Sequence, residues 1–177
     1  MNQSAGWLGT VLGLMLLAGG AQAGGAGEPP PAVPGASAGC VPGYVRPDFA
    51  ALERELNAAR ARWRAAGVRD YRYDFRQVAA PVLFPTVRVT VRGGAVRDVV
   101  LVAGQTGEPS AQARATVEER FVQIAQALAF QRAQPCPAVE VTYDREDGHP
   151  TRLSTAPRDL NVADGDGEWT LTNFTRP

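Results

Sequence analysis

Two stretches of the chain carry apolar side chains at the three- and four-residue spacing of an amphipathic helix. The first begins after Asp48, a residue that can cap a helix, and ends at Gly67, which favours a helix stop. Its apolar positions are Phe49, Leu52, Leu56, Ala59 and Trp63. The second begins after Thr116, which forms a capping box with Glu119. Its apolar positions are Val117, Phe121, Ile124 and Leu128, so the pattern predicts two helices with one buried face each.

Six other segments are rich in β-branched or aromatic residues, most of them alternating with polar residues at the period of a half-buried strand. Three of them, at 71–76, 87–92 and 96–102, lie between the predicted helices, and a Gly93-Gly94 turn joins the last two. Three more follow the second helix, with apolar positions at Val139, Val141 and Tyr143, then Leu153, then Trp169 and Leu171. The order α-β-β-β-α-β-β-β predicts an α+β fold. Two helices would cover one face of an antiparallel sheet of about six strands.

The N-terminal segment from Trp7 to Ala23 has no charged side chain. Its apolar core, Leu8 to Ala18, is followed by small residues, as is typical of a secretory signal peptide, and we expect cleavage after Ala23. The core is shorter than the roughly 20 residues that span a bilayer, and an uncleaved helical anchor is the alternative. Lipidation at Cys40 is disfavoured because a Pro- and Gly-rich stretch separates this cysteine from the apolar core.

Residues 24–43 are rich in Gly, Pro and Ala and have almost no large apolar side chain to bury. This composition predicts a flexible tether between the signal peptide (1–23) and a single α+β domain over 44–177. The signal peptide predicts a periplasmic or extracellular location. Association with a membrane is expected only if the N-terminal helix is retained.

The chain has two cysteines, Cys40 and Cys136. In an oxidising compartment a lone pair favours a disulfide bond. The bond would close a loop of roughly a hundred residues and stabilise the fold by about 4–5 kcal/mol in the chain-entropy model. The alternative is a reactive thiol, which needs a thiolate-stabilising environment that the neighbouring sequence does not supply.

The balance of charged residues bears on whether the protein binds a nucleic acid. The chain has 18 basic and 18 acidic residues, and every basic residue is an arginine. A nucleic-acid-binding domain would carry a basic excess on one surface. The neutral balance therefore predicts no nucleic-acid partner.

His149 is the single histidine of the chain and lies beside a predicted turn at Asp147-Gly148. A catalytic histidine needs a nucleophile within reach and a group that orients the ring, and the chain has no Gly-x-Ser-x-Gly motif. The turn position predicts an exposed histidine with no catalytic role. The sequence therefore assigns no catalytic and no cofactor-binding residue.

Acidic residues are weak candidates for a metal site. They are Asp144, Asp147, Asp164, Asp166 and Glu168, in two predicted turns. Alternating carboxylates in a Gly-rich loop can bind calcium, but the EF-hand pattern fails because Trp169 occupies the position of the required glycine. Asp and Gly are also common in ordinary turns. Calcium is therefore the one cofactor that the sequence suggests, as an alternative to no cofactor.

Five short motifs occur in order between Arg60 and Thr175. They are Trp63, Asp70-Tyr71-Arg72-Tyr73, the Val87-to-Val96 hairpin, Glu119-Arg120-Phe121, and Val141-Thr142-Tyr143-Asp144 with Gly148-His149-Pro150. In this order they resemble a bacterial family of small secreted or lipid-anchored proteins, domain of unknown function 6174. Members often have a close cysteine pair after the Tyr-x-Tyr strand, whereas residues 77–85 have none here. The resemblance implies no activity, so it assigns no functional residues.

Three functions are compatible with these observations. The export signal, the cysteine pair and the lack of a catalytic motif favour a non-enzymatic envelope or secreted domain that binds an envelope protein or a small ligand. The first alternative is a calcium-binding module that uses the acidic turns. The second is a secreted hydrolase.

Overall fold

The computed structural model describes residues 40, 42–79, 82–155 and 167–176. The predicted signal peptide, most of the predicted tether and residues 156–166 lie outside this described part. No helix within the described part is both long enough and apolar enough to cross a membrane.

The two helices form where the apolar spacing predicts them. Helix α1 is Phe49–Ala66, and the side chain of Asp48 caps it by accepting a hydrogen bond from the Ala51 N–H at 3.0 Å. It ends at Gly67, whose φ of 61° is in the left-handed region. Helix α2 is Val117–Arg132, and both hydrogen bonds of the predicted Thr116–Glu119 capping box are present. The local capping signals are therefore confirmed.

In the described residues, seven strands form one antiparallel sheet. They are β1 (Tyr71–Ala79), β2 (Val82–Leu83), β3 (Val87–Arg92), β4 (Ala95–Leu101), β5 (Glu140–Tyr143), β6 (Pro150–Ser154) and β7 (Gly167–Thr175). A short 3₁₀ helix, Ala111–Ala113, precedes α2. The strand order is β4-β3-β1-β7-β6-β5, and β2 pairs with the end of β1. The first and the last strand are thus neighbours at the centre of the sheet.

The β3–β4 hairpin turns at Gly93 and Gly94, with φ values of 60° and 76°. Glycine adopts this left-handed region without steric cost, so the pair is suited to the turn that the sequence predicts. The central β1–β7 pair is less regular. Its register shifts between Arg72 and Asp74, and opposite this irregularity Asn173 has a φ of 51°.

The core lies between one face of the sheet and the two helices. On the sheet side it consists of alternate residues of the central strands, namely Tyr71, Tyr73, Phe75, Val87, Val89, Val91, Trp169 and Leu171. On the helix side it consists of Phe49, Leu56, Ala59, Trp63, Val117, Phe121, Ile124 and Leu128. These are the positions that the period-two and helical patterns place on the buried faces.

The α+β class and the helix and strand order agree with the sequence prediction, with one addition. The two-residue strand β2 folds back onto β1 through the pairs Val78–Leu83 and Ala79–Val82. Val82 and Leu83 are exposed, so this segment lacks the alternation of buried and exposed residues by which a strand is predicted.

A disulfide bond joins Cys40 to Cys136, with the two Cα atoms 5.4 Å apart. Hydrogen bonds from Tyr44 and Arg46 hold the same segments together. The Tyr44 hydroxyl donates to the Pro137 carbonyl at 2.8 Å, and the Arg46 guanidinium donates to the Arg132 carbonyl at 2.7 Å. The residues before α1 are therefore fastened to the connection between α2 and β5.

Candidate functional site

The turn between β5 and β6 is closed by the side chain of Asp144. Its Oδ1 accepts hydrogen bonds from the backbone N–H groups of Glu146 at 2.8 Å and Asp147 at 3.1 Å. Gly148 follows with a φ of 81°, and its Cα lies against the backbone of Ala59 in α1. The turn therefore packs onto α1, and Asp147 is buried.

Asp147 is 2% exposed and accepts hydrogen bonds at both carboxylate oxygens. Oδ1 accepts from the backbone N–H of His149 at 2.9 Å and faces the Nδ1 atom of the same residue at 2.6 Å. Oδ2 accepts from the guanidinium of Arg176, directly after β7. Burial alone would raise the pKa of Asp147, but the hydrogen bonds from His149 and Arg176 outweigh it and hold this pKa below its ordinary value.

His149 is 6% exposed, so the prediction of an exposed turn histidine is wrong. The imidazole stacks on the ring of Phe174, with the ring centroids 4.0 Å apart. Because ionised Asp147 can only accept a hydrogen bond, the Nδ1 atom carries the hydrogen between them. Phe174 of β7 covers one face of the ring, and a sequence pattern that marks a turn does not reveal such a long-range contact.

Asp144, Asp147, His149 and Arg176 form what we call the Asp147 cluster. It lines an open pocket of about 330 Å³ together with Asn173 and Phe174. An Asp–His pair of this geometry can orient a general base. However, no serine or cysteine occurs among the described residues that line the pocket. The nucleophile of a Ser-His or Cys-His arrangement is therefore not found among these lining residues, whereas the hydroxyl of Thr172 does line the pocket.

The Asp147 cluster also contains the one group of three possible metal ligands found among the described residues. One ligand atom from each of Asp144, Asp147 and His149 lies within 4.8 Å of the others. Three of these candidate ligand atoms already take part in hydrogen bonds, namely Oδ1 of Asp144, Oδ1 of Asp147 and Nδ1 of His149. A cation would have to compete with these bonds.

The second acidic group does not form a comparable cluster in the described part of the chain. Asp164 and Asp166 lie outside the described residues. Glu168 lies on β7, where its Oε2 accepts a hydrogen bond from Arg152 of β6 at 2.6 Å. The Glu168 carboxylate therefore already has a cationic partner.

Stability should depend on pH through two buried carboxylates. A hydrogen bond from Arg88 is the main cause that lowers the pKa of Asp74, and the pKa of Asp147 is lowered as described above. A carboxyl group with a lower pKa in the folded state stabilises the fold above its unfolded pKa of about 3.9, and this stabilisation is lost as the pH falls through the folded value. We therefore expect the free energy of unfolding to fall steeply below about pH 4.

Urea unfolding from about pH 6 to about pH 2 would measure this loss. Asp147→Asn should flatten the acid limb, because the variant no longer has the titrating group. Asp144→Asn, in the same turn, is the matched control. An acid limb unchanged by Asp147→Asn would contradict the role given to this carboxylate.

A second pocket, of about 460 Å³, lies between α2 and the sheet. Its polar wall consists of amide side chains from three elements, Gln77 of β1, Gln112 of the 3₁₀ helix, and Gln123 and Gln126 of α2. Its apolar wall includes Ala127, Leu153 and Trp169, and Thr155, Gly167 and Glu168 complete the lining. We call this cavity the glutamine pocket. Its volume falls within the range of small-molecule sites, roughly 300–1,000 Å³.

Arg120 supports the glutamine pocket from the core side. Its side chain is fully buried, and the guanidinium carbon lies 4.0 Å from the ring centroid of Phe75 and 5.3 Å from that of Trp169. It donates hydrogen bonds to Oε1 of Gln123 at 2.9 Å and to the Ala113 carbonyl at 3.3 Å. Burial lowers the pKa of this guanidinium. Arg120 therefore fixes two lining side chains, Gln123 by a hydrogen bond and Trp169 by stacking.

The sequence gives little sign of the glutamine pocket. Gln123 and Gln126 have the three-residue spacing of one helix face, but Gln77 and Gln112 are distant along the chain. Only the pairing of β1 with β7 and the packing of α2 bring them together. The sequence also does not predict that Arg120 is buried, because this residue is charged and lies beside the apolar stripe of α2, not within it.

The described residues form a small α+β domain with an antiparallel sheet covered by two helices on one face. The chain matches a family of unknown function, DUF6174, over residues 55–176. This match covers more than half of the chain, so the protein belongs to that family, and the family assignment drawn from the five motifs is confirmed. No curated protein and no solved structure matches the chain with significance.

Proposed function

We propose that this protein is a non-enzymatic binding domain of the periplasm or the extracellular space. In this proposal it takes a small, uncharged, polar ligand into the glutamine pocket. The observation that carries the proposal is the convergence of four primary amides, from three separate elements, beside the buried Trp169 and Leu153.

The lining chemistry supports a neutral ligand. Each glutamine amide offers two N–H donors and one carbonyl acceptor, so the wall can match hydroxyl or amide groups in either hydrogen-bonding role. Glu168 is paired with Arg152, and the Arg120 cation lies behind Trp169. Among the described lining residues, the charged group is therefore already paired, so the pocket offers no unpaired charge to an ionic ligand.

Two glutamines are fixed and two are available. Gln77 accepts a hydrogen bond from the Ser110 hydroxyl, and Gln123 accepts one from Arg120. The side chains of Gln112 and Gln126 are exposed and make no hydrogen bond with another described residue. The fixed side chains form a preformed part of the wall, which lowers the entropic cost of binding, and the exposed ones offer free donors and acceptors.

A ¹H–¹⁵N NMR screen of the protein tests the proposal. The probes are glucose, maltose, N-acetylglucosamine and N-acetylglycine amide, which present hydroxyl groups, amide groups or both without charge. We expect at least one probe to shift the side-chain amide signals of the lining glutamines and the indole N–H signal of Trp169. Shifts confined to residues outside the pocket, or no shifts at all, would contradict the proposal.

Export is part of the same proposal and rests on the apolar segment from Leu8 to Ala18. Cell fractionation followed by intact-mass measurement tests it. We expect the exported protein to lack residues 1–23. Recovery of the full-length chain from the cytoplasm would contradict export.

A second candidate function is cation binding at the Asp147 cluster, favoured by the three ligand atoms within 4.8 Å of one another. The hydrogen bonds that Asp147 already accepts oppose it, so we expect no rise in melting temperature in millimolar calcium relative to a chelator. Thermal melts of the wild type and Asp144→Asn decide the question. A calcium-dependent rise in the wild type that is lost in Asp144→Asn would establish the cation site.

A secreted hydrolase that uses His149 is the remaining alternative. It rests on the Asp147–His149 contact of 2.6 Å. Hydrolysis of ester or glycoside substrates by the wild type, abolished in His149→Gln, would support the hydrolase and contradict the non-enzymatic proposal.

A further inference from the structure

Three arginines meet at one end of the sheet. Strand β1 begins at Tyr71, and its antiparallel neighbours β3 and β7 end beside it, since Arg72 pairs with Thr90 on one side and Thr175 on the other. Arg92 is the last residue of β3, and Arg176 directly follows β7. Together with Tyr71 and Thr175, these arginines line a cleft of about 200 Å³, which we call the arginine cleft.

The positive charge of the arginine cleft is only partly balanced. Arg176 is bound to Asp147, and Arg72 donates from Nε to the Thr175 hydroxyl at 2.8 Å. Arg92 has neither an ion pair nor a side-chain hydrogen bond within the described part of the chain. No carboxylate is found among the described lining residues.

Two other arginines of the same sheet are matched with acids. Arg88 pairs with Asp74 at 2.7 Å, and Arg152 pairs with Glu168 at 2.6 Å. Arg76 of β1 and Arg97 of β4 have no ion pair among the described residues, but neither lines a cleft with other arginines. The arginine cleft differs because it brings three arginines together at adjacent strand ends.

Guanidinium groups present several N–H donors in one plane and bind carboxylate and phosphate oxygens well. We propose that the arginine cleft binds a small oxyanion, such as a phosphate, sulfate or carboxylate group. Arg72 and Arg92 bind its oxygens, and Arg176 contributes donors that Asp147 does not occupy. The site shares no described lining residue with the glutamine pocket, so this inference stands independently of the proposed function.

Anion titrations of the full chain, followed by NMR at constant ionic strength, test the inference. The probes are inorganic phosphate, sulfate and acetate, with chloride as the reference salt. We expect saturable shifts at the backbone signals of Arg72, Arg92 and Thr175 for at least one probe. Tighter binding of phosphate and sulfate would identify a tetrahedral anion, and tighter binding of acetate would identify a carboxylate.

The variant Arg72→Gln/Arg92→Gln should lower the affinity for the most tightly bound anion by about tenfold or more, because it removes charge-assisted hydrogen bonds. The control, Arg54→Gln/Arg97→Gln, removes the same charge from exposed positions on α1 and β4. It should retain wild-type affinity. Equal weakening in both variants, or the absence of saturable shifts in the wild type, would overturn the inference. A melting curve for each variant checks that the fold is retained.

Discussion

Replacing Gly148 by alanine should lower the free energy of unfolding by roughly 2–5 kcal/mol. Two costs combine at this position. The φ of 81° disfavours any residue with a Cβ atom, and the new methyl group would overlap the carbonyl oxygen of Ala59. It would also lie 3.0 Å from Cβ of Arg62, so the β5–β6 turn would have to move away from α1. Urea unfolding of Gly148→Ala against the wild type measures the loss.

Gly104→Ala is the matched control for this prediction. Gly104 has the same φ of 81°, but an added Cβ would meet no atom within 4 Å. It should therefore show the backbone cost alone, about 1 kcal/mol. If Gly148→Ala were no more destabilised than Gly104→Ala, the close packing of the turn onto α1 would be contradicted.

The second large effect is expected at Arg120. Arg120→Ala should lower the free energy of unfolding by about 3–5 kcal/mol. The substitution leaves a cavity beside Phe75 and Trp169, and it removes the hydrogen bonds to Gln123 and the Ala113 carbonyl. Chemical denaturation monitored by circular dichroism measures the change.

Arg120→Met separates packing from charge. Methionine restores much of the volume and avoids the cost of burying a cation, so we expect it to recover a large part of the loss. The remaining difference from the wild type would come from the lost hydrogen bonds. A value for Arg120→Ala within about 1 kcal/mol of the wild type would contradict the supporting role of this side chain.

Much of the fold could be predicted because its signals are local. Asp48, Thr116 and Gly67 mark helix ends through backbone groups a few residues away, and Gly93-Gly94 marks a turn through its φ values. The same sequence does not specify that β1 pairs with β7. That pairing joins residues about a hundred positions apart, so no local pattern contains it.

The candidate sites were less predictable because they also depend on contacts between segments that are distant along the chain. The sequence singled out Asp144, Asp147 and His149 as turn residues, and the structure brings them together. It could not show that Arg176 would pair with Asp147 or that His149 would be buried, since both depend on contacts between distant segments. The glutamine pocket depends even more on tertiary structure, because neutral amides carry no charge or motif signal.

A comparison of dissociation constants tests whether the glutamine pocket binds a neutral ligand. The strongest probe of the NMR screen is titrated into the wild type, Gln112→Ala/Gln126→Ala and the control Gln134→Ala, whose position is outside the pocket. The double variant removes no hydrogen bond between described side chains, so its fold should be retained. We predict that it binds about tenfold or more weakly, because two ligand hydrogen bonds are lost, and that the control matches the wild type. Equal affinity in the folded double variant and the wild type would contradict ligand binding in the glutamine pocket.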